Sequence, residues 1–414
     1  MKCRHCGCEA MHPFLDLGTA PPSNSYVAEQ DLVRPELWYP LVIRVCEECL
    51  LVQTEDFAER ETFFSESYAY FSSFSTSWLA HARTYVDDMV ARFGLAEDAR
   101  KDETRIVEVA ANDGYLLQYV QERGLACLGV EPTASTAAAA RQKGIEIRQD
   151  FFGEAFARQL VGEGWQADLT AANNVLAHVP DINDFVKGFA TLLKPAGVAT
   201  FEFPHLMNMI AEGQFDTAYH EHYSYLSLTA VMRIFSHNGL SVFDVETTPW
   251  HGGSLRVFAC RSDHQAHAES ARVAAMLALE QEAGLTRLET YGRFQKTAER
   301  LRDDFLEFLV DCHRAGMKVA AYGAAAKGNT FLNFAGIKAG QIAFVVDKNP
   351  AKQGMFLPGS RIPIVREEVL QTEKPDRVVI FPWNLTSEIK QQLSYINDWD
   401  GKFVTAIPSL TVHP

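Results

Sequence analysis

Two cysteine pairs near the start of the chain constrain its fold more than any other feature of the sequence. Both pairs have CxxC spacing, and residues 7–45 separate them. A CxxC turn brings two thiolates to one side of the backbone, so two such turns supply four sulfur ligands for a tetrahedral zinc ion. Four thiolates leave no open coordination position, which makes the metal structural. We therefore predict a structural Zn²⁺ held by Cys3, Cys6, Cys46 and Cys49.

Two alternatives remain open at these cysteines. The four thiols could be unconnected and free, although paired CxxC turns are a specific signal for zinc. Cys8 is a fifth thiol close by, and it could replace one of the ligands. The segment between the pairs carries Pro21, Pro22, Pro35 and Pro40, and this composition predicts loops with a short strand.

Strands and helices alternate in two separate stretches of the remaining sequence. The first stretch includes RIVEVAANDG, CLGVEP, ADLTAANNV and GVATFEFP, and the second includes KVAAYGAAAKGN, QIAFVVDKNP and DRVVIFPWN. Such alternation predicts a mostly parallel sheet covered by helices on both faces. Between the two stretches, residues 268–316 show a charged, amphipathic helical pattern that breaks at Gly284.

We predict an α/β protein with three parts. Residues 1–65 form a small zinc-binding domain, residues 66–265 form a central Rossmann-like domain, and residues 266–414 form a linker helix followed by a C-terminal Rossmann-like α/β domain. A length of 414 residues agrees with more than one hydrophobic core. The last two domains could be structural echoes of each other.

The balance of charge excludes two classes of partner. The formal net charge is −15, which argues against binding to nucleic acid or to an anionic membrane surface. No stretch of the chain has the run of uncharged apolar residues that a membrane-spanning helix needs, and the first residues lack the apolar core of a secretory signal. We therefore expect a cytoplasmic protein. We also expect a monomer, because the zinc, helix and sheet segments account for the apolar content.

A cofactor site is predicted where the first strand of the central domain ends, in the segment EVAANDG. Short residues there let the backbone approach a ligand, and the following helix N-terminus favours an anionic group. The next strand closes with Glu131, and a carboxylate at that place accepts hydrogen bonds from ribose hydroxyls. The dinucleotide pattern GxGxxG is absent and only Gly114 remains of it, so the loop suits S-adenosylmethionine better than a pyrophosphate.

Further cofactor contacts follow from the order of the strands. Asp150 and Phe151, after the third strand, are placed to read and stack on an adenine, and Asn174 would face the sulfonium end. Solvated loop carboxylates are the alternative interpretation of Glu131 and Asp150. The predicted cofactor residues are Glu108, Ala110, Asn112, Asp113, Gly114, Leu116, Glu131, Pro132, Asp150, Phe151 and Asn174.

Several segments together resemble a known family. They are the two CxxC pairs, EVAANDG, ANNVLAHVP, YHEHYSYLS, HGGSLRV and YGAAAKGNTF. The chain is similar to the S-adenosylmethionine-dependent sugar C-3 methyltransferases, such as the one that acts in tetronitrose biosynthesis. The resemblance implies a central class I methyltransferase domain, and a thymidine-diphosphate-linked 4-keto-6-deoxy sugar bound between the last two domains. Many members have a glycine at the position of Ala110, where this chain carries a methyl group.

Methylation of a carbon atom requires a base. A ring carbon beside a ketone becomes nucleophilic when a base removes its proton and the enolate oxygen is stabilised. Histidine suits this role, because its ordinary pKa keeps it neutral and basic near pH 7. The resemblance implies that His222 is the base, with Glu221 and Tyr219 beside it to orient or donate. It also implies that Tyr68 and His178 lie in the same pocket.

These candidate catalytic residues also have structural interpretations. A histidine in an aromatic loop is more often a packed, hydrogen-bonded side chain than a base. The HEH run could bind zinc, but it lacks the HExxH spacing that places two imidazoles on one face of a helix. His178 could also cap the turn before Pro180.

The loop YGAAAKGN in the C-terminal domain is a candidate anion site. A strand there runs into small residues and a lysine, so backbone amides and one ammonium group could hold a diphosphate. The loop matches neither a Walker motif nor GxGxxG, which disfavours ATP hydrolysis and NAD chemistry. A plain strand–helix turn is the alternative. The predicted substrate residues are Tyr322, Gly323, Lys327, Asn329, Arg256 and Asn384.

Taken with the resemblance, the sequence predicts an enzyme that transfers a methyl group from S-adenosylmethionine to C-3 of a nucleotide-diphosphate-linked 4-keto-6-deoxy sugar. Three alternatives remain open. The chain could methylate an oxygen or a nitrogen of a sugar or natural product. It could be a non-catalytic zinc protein that binds a nucleotide sugar or a protein partner. It could also be a dehydrogenase that binds NAD at YGAAAKG.

Overall fold

Three large sheets organise the computed structural model of the chain, which describes residues 1–57, 71–98 and 100–413. The predicted catalytic residue Tyr68 lies outside the described residues. The predicted fold class is confirmed, since a cysteine-rich N-terminal part, a central α/β part and a C-terminal part with a parallel sheet follow one another. Within the described ranges, no helix is long and apolar enough to cross a membrane.

An antiparallel sheet forms the N-terminal part. Its strands β1 (Met11–Ala20), β3 (Tyr39–Cys46) and β4 (Val52–Thr54) lie side by side, and β2 (Val27–Ala28) lies in the segment between β1 and β3. In β3, Leu41, Ile43 and Val45 alternate toward the core, as a strand with one buried face requires. The region therefore holds two long strands, where its prolines predict loops and a short strand. The sheet tolerates Pro13 and Pro40 because a register shift follows Pro13 and Pro40 lies near the start of β3.

The central part is a seven-stranded sheet flanked by helices. Its strands are β5 (Arg105–Val109), β6 (Ala126–Val130), β7 (Ile147–Arg148), β8 (Ala167–Asn173), β9 (Leu193–Pro204), β11 (Leu240–Thr248) and β12 (Ser254–Arg261). The helices are α1 (Thr76–Arg92), α2 (Leu117–Glu122), α3 (Ala134–Gln142), α4 (Glu154–Gly162), α5 (Ile182–Leu192), α6 (Leu206–Ala211) and α7 (Leu228–His237). A short strand between α6 and α7, β10 (Ser224–Tyr225), lies outside this sheet and pairs with β4 of the N-terminal part.

The strand order of the central sheet places the predicted cofactor residues at one edge. The order is β7-β6-β5-β8-β9-β12-β11, and neighbours are parallel from β7 to β9, while β12 is antiparallel to both of its neighbours. In such a sheet the carboxyl ends of the parallel strands share one edge, where ligands bind. The loops after β5, β6, β7 and β8 all open at this edge.

Three helices occupy the stretch predicted to link the domains: α8 (Ala271–Glu282), α9 (Leu288–Tyr291) and α10 (Phe294–Arg314). Gly284 lies at the predicted break and has φ +83°, a conformation that glycine adopts without strain. Val273 of α8 packs in the core of the central sheet, whereas Phe305 of α10 packs in a core shared by the N-terminal and C-terminal parts.

The C-terminal part is a six-stranded sheet. Its strands are β13 (Val319–Tyr322), β14 (Val345–Val346), β16 (Ile364–Val365), β17 (Arg377–Ile380), β18 (Lys402–Thr405) and β19 (Thr411–His413), and β15 (Met355–Phe356) pairs with β2 instead. The order is β16-β14-β13-β17-β18-β19, parallel throughout except at β19. The helices are α11 (Ala326–Phe334), α12 (Val369–Glu373) and α13 (Thr386–Gln392).

The central and C-terminal sheets share one arrangement. Counted along the chain, five strands in each lie in the order third, second, first, fourth, fifth. The loop after the first strand is also held alike: the Asn112 amide donates to Glu131 at 2.9 Å, and the Ala324 amide donates to Asp347 at 2.8 Å. In both sheets the accepting carboxylate directly follows the second strand. The structure thus contains the echo that the sequence suggested.

The N-terminal part contacts both of the larger parts. Strand β4 pairs with β10 of the central part, and β2 pairs with β15 of the C-terminal part. The Tyr26 hydroxyl donates to the carbonyl of Ala324 at 2.7 Å, and Arg361 pairs with Glu36 at 2.7 Å. The candidate active site lies where these three parts meet.

Candidate active site

The four predicted zinc ligands converge in the structure. Their Sγ atoms all lie within 4.8 Å of one another. Sulfur atoms about 2.3 Å from a tetrahedral Zn²⁺ lie about 3.8 Å apart, so the cluster fits that ion. Each CxxC turn is closed by a backbone hydrogen bond, from the Gly7 amide to the Cys3 carbonyl and from the Leu50 amide to the Cys46 carbonyl. Both donor residues have positive φ, so the two turns have the same shape.

Arg4, inside the first CxxC turn, connects the zinc cluster to the candidate active site. Its side chain is 6% exposed and donates hydrogen bonds to the carbonyls of Thr54 and Pro180, each at 2.9 Å. The hydroxyl of Thr54 in turn donates to the carbonyl of His222 at 2.6 Å. The zinc-bearing turn therefore braces the backbone next to both His178 and His222.

A backbone carbonyl orients the ring of His222. Nδ1 of His222 lies 2.9 Å from the carbonyl oxygen of Thr217. Because a carbonyl can only accept, Nδ1 carries the proton and Nε2 keeps its lone pair. The ring centroids of His178 and Tyr219 lie 4.6 Å and 4.4 Å from that of His222. The structure thus brings three of the predicted catalytic residues together.

Burial keeps both imidazoles of this cluster neutral. Burial lowers the pKa of His222 well below its ordinary value, and the nearby His178, His251 and Lys327 lower it further. Burial likewise lowers the pKa of His178 to about 4, although Nδ1 of that ring donates to the Glu221 carbonyl at 3.0 Å. A neutral imidazole whose Nε2 keeps its lone pair can accept a proton at neutral pH.

The Glu221 carboxylate is engaged by the N-terminal part. Its Oε1 accepts a hydrogen bond from Nδ2 of Asn24 at 2.9 Å, and burial raises the pKa of Glu221. In the part of the chain that the structure describes, this carboxylate makes no hydrogen bond to the His222 ring. Burial, with Asp216 and Glu221 nearby, raises the pKa of Tyr219 well above its ordinary value. The Tyr219 phenol therefore stays protonated.

The loop after β5 has the backbone strain expected where a ligand comes close. Ala110 and Asn112 have φ values of +60° and +49°, in the left-handed region that side chains disfavour. Gly114 also has positive φ, and a Cβ at that position would clash with Ile145. Glu131, which is 5% exposed, holds the loop through the Asn112 amide.

The other predicted cofactor residues differ in exposure. Asn174 directly follows β8 and has φ +53°, while Phe151 is partly exposed after β7. Asp150 is exposed, and its Oδ1 accepts a hydrogen bond from the Phe151 amide at 2.8 Å. Leu116 is fully buried and supports the loop from the core. Glu108 is also fully buried, and burial raises its pKa well above the ordinary value.

A lysine and an asparagine meet on the C-terminal side of the cleft. Nζ of Lys327 donates to Oδ1 of Asn384 at 3.0 Å and lies 4.0 Å from the ring centroid of Trp383. Nε1 of Trp383 donates to Asp216 at 2.8 Å. Burial lowers the pKa of Lys327 to about 8 and raises that of Asp216 to about 6. Gly323, with φ +90°, turns the chain at the end of β13 toward this group.

Three predicted substrate residues have partners inside the protein. Arg256 is 5% exposed and pairs at 2.7 Å with Glu202 on the neighbouring strand, so an internal carboxylate takes the place of the predicted anion. Asn329 is buried and donates to the carbonyl of Ser23 at 2.6 Å. Tyr322 is buried and accepts a hydrogen bond from helix α13 at 3.1 Å.

Comparison with known proteins identifies the family. Family models match three stretches of the chain: a zinc binding domain at residues 3–64, a methyltransferase domain at residues 78–245 and a C-methyltransferase C-terminal domain at residues 249–408. The C-methyltransferase NovU of Streptomyces niveus is 33% identical over 409 residues, which cover 98% of this chain and 95% of NovU. The chain belongs to this C-methyltransferase family. It is therefore an enzyme that uses S-adenosylmethionine and contains a zinc-binding part.

Two further similarities cover less of this chain. Ubiquinone biosynthesis O-methyltransferase of Chelativorans sp. (strain BNC1) is 29% identical over 116 residues, which cover 27% of this chain and 46% of that enzyme. The structure of magnesium protoporphyrin IX methyltransferase from Synechocystis PCC 6803 matches with 17% identity and a TM-score of 0.33, over 45% of this chain and 81% of that one.

Unpaired polar atoms of the C-methyltransferase lie at the predicted cofactor site. Among the described residues, buried side-chain oxygens of Asp113, Asn173 and Asn174 have no hydrogen-bond partner. All three atoms are acceptors, whereas the ammonium and ribose hydroxyl groups of S-adenosylmethionine are donors. Pro132, next to Glu131, is partly exposed at the same edge. The residues present therefore fit this cofactor.

Sequence reasoning missed several residues of this site. Thr217, Asn24 and Asp216 belong to no recognisable motif, because their partners lie elsewhere in the chain or are backbone atoms. His251 lies in HGGSLRV, and its ring contacts Asn174 at 3.0 Å. The two glycines after His251 are a signal that could have identified it, since paired glycines indicate a tight turn.

We expect one zinc ion per chain in protein purified without added metal, because the four thiolates form a closed site. Cys49→Ser should remove most of the bound zinc. Cys8→Ser is the matched control, and it should leave the zinc content unchanged because this thiol is outside the cluster. Metal analysis measures both contents. Wild-type protein that is folded but free of zinc would contradict the prediction.

Ala110→Gly should stabilise the protein by up to about 1 kcal/mol, because glycine adopts the left-handed conformation of this residue without strain. Ala111→Gly is the matched control. Ala111 does not have a positive φ, and its side-chain methyl group is fully buried. Removal of that methyl group should destabilise the protein by about 1 kcal/mol. Urea unfolding measures both changes. If both variants lose stability equally, Ala110 is not strained.

Proposed function

We propose that this C-methyltransferase transfers the methyl group of S-adenosylmethionine to C-3 of a 4-keto-6-deoxy sugar linked to thymidine diphosphate. The observation that supports this most directly is the neutral imidazole of His222, with Nδ1 bound to a carbonyl and Nε2 able to accept a proton. A carbon beside a ketone becomes nucleophilic only after it loses a proton, so a positioned base is what C-methylation needs. The sugar class comes from the family resemblance of the motifs.

In the proposed reaction, a side chain of the enzyme accepts the proton that C-3 loses. Nε2 of His222 takes the proton from C-3, and the electrons of that C–H bond move onto the C-4 oxygen to form an enolate. The Thr217 carbonyl holds the imidazole in the tautomer that this step needs. The packed rings of His178 and Tyr219 limit its rotation. S-Adenosylmethionine, when bound, supplies the electrophilic methyl group that C-3 attacks.

The proposed substrate also needs an anion site. Lys327 is positively charged at neutral pH, and with Asn384 it binds the diphosphate of the sugar nucleotide. In this proposal residues 1–65 hold zinc, residues 66–265 hold the cofactor and residues 266–414 hold the nucleotide. The enzyme works as a monomer, since all of these groups come from one chain.

A panel of acceptors tests the proposed function. Enzyme and S-adenosylmethionine are incubated with thymidine-diphosphate-linked 4-keto-6-deoxy sugars that carry either a 3-amino or a 3-hydroxyl group. We expect mass spectrometry to show one added methyl group and NMR to place it on C-3. A methyl group on oxygen or nitrogen, or no product from any 4-keto sugar, would contradict the proposal.

His222→Asn should lower kcat by about 10²–10⁴-fold, the usual contribution of a positioned general base, while both ligands still bind. His220→Asn is the matched control from the same loop. His220 contacts the carbonyl of Tyr39 and the Tyr39 ring, so its replacement should change kcat far less. Steady-state kinetics measure kcat, and calorimetry measures cofactor binding. Equal rates for wild type and His222→Asn would exclude His222 as the base.

The pH profile of kcat/KM should be bell-shaped. Because burial lowers the pKa of His222, the base stays unprotonated as the pH falls through 6.5, and activity should decline only at lower pH. Burial lowers the pKa of Lys327 to about 8, so the diphosphate contact and kcat/KM should be lost above pH 8. Lys327→Arg should remove the alkaline limb, since a guanidinium stays charged. An acid limb at or above pH 6.5 would contradict the assignment of His222.

A further inference from the structure

The turn between β11 and β12 holds a strained histidine. His251 has φ +56° and ψ +24°, and Gly252 and Gly253 continue the turn with φ values of +87° and +97°. A side chain in the left-handed region destabilises the fold unless the surrounding structure imposes the conformation, and such residues cluster at functional sites. His251 takes no part in the proton transfer proposed for His222.

Contacts from two parts of the protein impose this conformation. Nε2 of Gln214 donates to the Gly252 carbonyl at 2.8 Å, and Nδ2 of Asn208 donates to the Gly253 carbonyl at 3.1 Å. A Cβ at Gly252 would clash with the ring of Trp383, which comes from the C-terminal part. The turn therefore packs against the side of the cleft that carries Lys327.

The turn presents the His251 ring to the predicted reactive end of the cofactor site. Nδ2 of Asn174 lies 3.0 Å from Nε2 of His251, and the ring of Trp78 lies 5.0 Å away between centroids. The amide nitrogen donates to Nε2, so the proton of the imidazole is on Nδ1. Among the described residues, this Nδ1–H has no hydrogen-bond partner.

The two histidines of the cleft therefore have opposite tautomers. His222 has its Nδ1–H occupied by the Thr217 carbonyl and an Nε2 that can accept a proton. His251 has its Nε2 occupied by Asn174 and an Nδ1–H that can donate. Burial lowers the pKa of His251 to about 4, with Lys327 and His81 acting in the same direction and Glu202 in the opposite one. His251 is thus a neutral hydrogen-bond donor.

We propose that His251 is a catalytic residue that donates its Nδ1–H to the C-4 oxygen of the sugar as His222 removes the C-3 proton. This inference rests on the proposed function, because only a keto sugar places negative charge on that oxygen. No proton is transferred from His251: the hydrogen bond stabilises the enolate oxygen while the electrons of the broken C–H bond reside there. A preorganised donor at a developing oxyanion is one of the largest single contributions to catalysis.

Two variants separate this role from a structural one. His251→Gly removes the donor and relieves the strained φ, so kcat should fall by about 10²–10³-fold while the circular dichroism spectrum and the zinc content stay those of wild type. His251→Asn keeps a side chain that tolerates the left-handed region and carries an N–H donor, so it should recover part of the loss. Calorimetry should show unchanged S-adenosylmethionine binding in both, and His220→Asn again serves as the control.

Proton exchange identifies the step that His251 assists. The thymidine-diphosphate-linked 4-keto-6-deoxy sugar is incubated in deuterated water with enzyme and S-adenosylhomocysteine, and NMR follows deuterium at C-3. If His251 stabilises the enolate, exchange in His251→Gly should slow by a factor similar to the fall in kcat. Slowed methylation with wild-type exchange would overturn the proposal, because the residue would then act on the cofactor.

The remaining outcomes are also decisive. If the wild-type enzyme methylates the keto sugar and both His251 variants keep its rate, the inference about His251 fails and the proposed function stands. If wild-type enzyme neither methylates nor exchanges any keto sugar, both fail. Should His251→Asn not fold, His251→Gly decides alone, since circular dichroism and zinc content report its folding.

Discussion

The pairing of β4 with β10 is the interaction on which the rest of the site depends. Strand β4 follows the second zinc-binding turn closely, and β10 follows the loop that carries His222. Thr54, at the end of β4, fixes the backbone of that loop through the carbonyl of His222 and the carbonyl of Tyr223. The four-cysteine site therefore supports, through β4 and Thr54, the backbone of the loop that carries His222, the proposed base.

The hydrogen-bond partner of each imidazole decides its chemistry more than the nearby charges do. Burial lowers the pKa of both rings, so both are neutral at neutral pH and they do not differ in charge. What differs is the group that each ring contacts: a carbonyl at Thr217 for His222, and an amide nitrogen at Asn174 for His251. One residue type can thus serve as proton acceptor or as hydrogen-bond donor, according to which ring nitrogen the fold engages.

The sequence predicted those features that depend on short spacing, and it missed those that depend on strand register. The CxxC turns and the strand–helix alternation are local, and the structure contains both. The sequence suggested that Arg256 contacts an anion of the substrate. Its actual partner, Glu202, becomes its neighbour only when β12 pairs with β9, so the spacing along the chain could not reveal this pair. Asn24 could not be connected with Glu221, since 197 residues separate them along the chain. Pro40 suggested a loop, yet a strand that begins beside it is compatible with proline.

The N-terminal segment that crosses to the C-terminal part has a consequence for the order of folding during synthesis. Ser23 accepts its hydrogen bond from Asn329, 306 residues later, and β2 finds its partner β15 later still. A ribosome releases the first of these segments long before the second exists, so the segment at residues 21–36 must wait for nearly the whole chain. The loop that carries Glu221 receives its contact from Asn24 once this segment is in place. The part of the protein that is made first is therefore among the last to reach its final contacts.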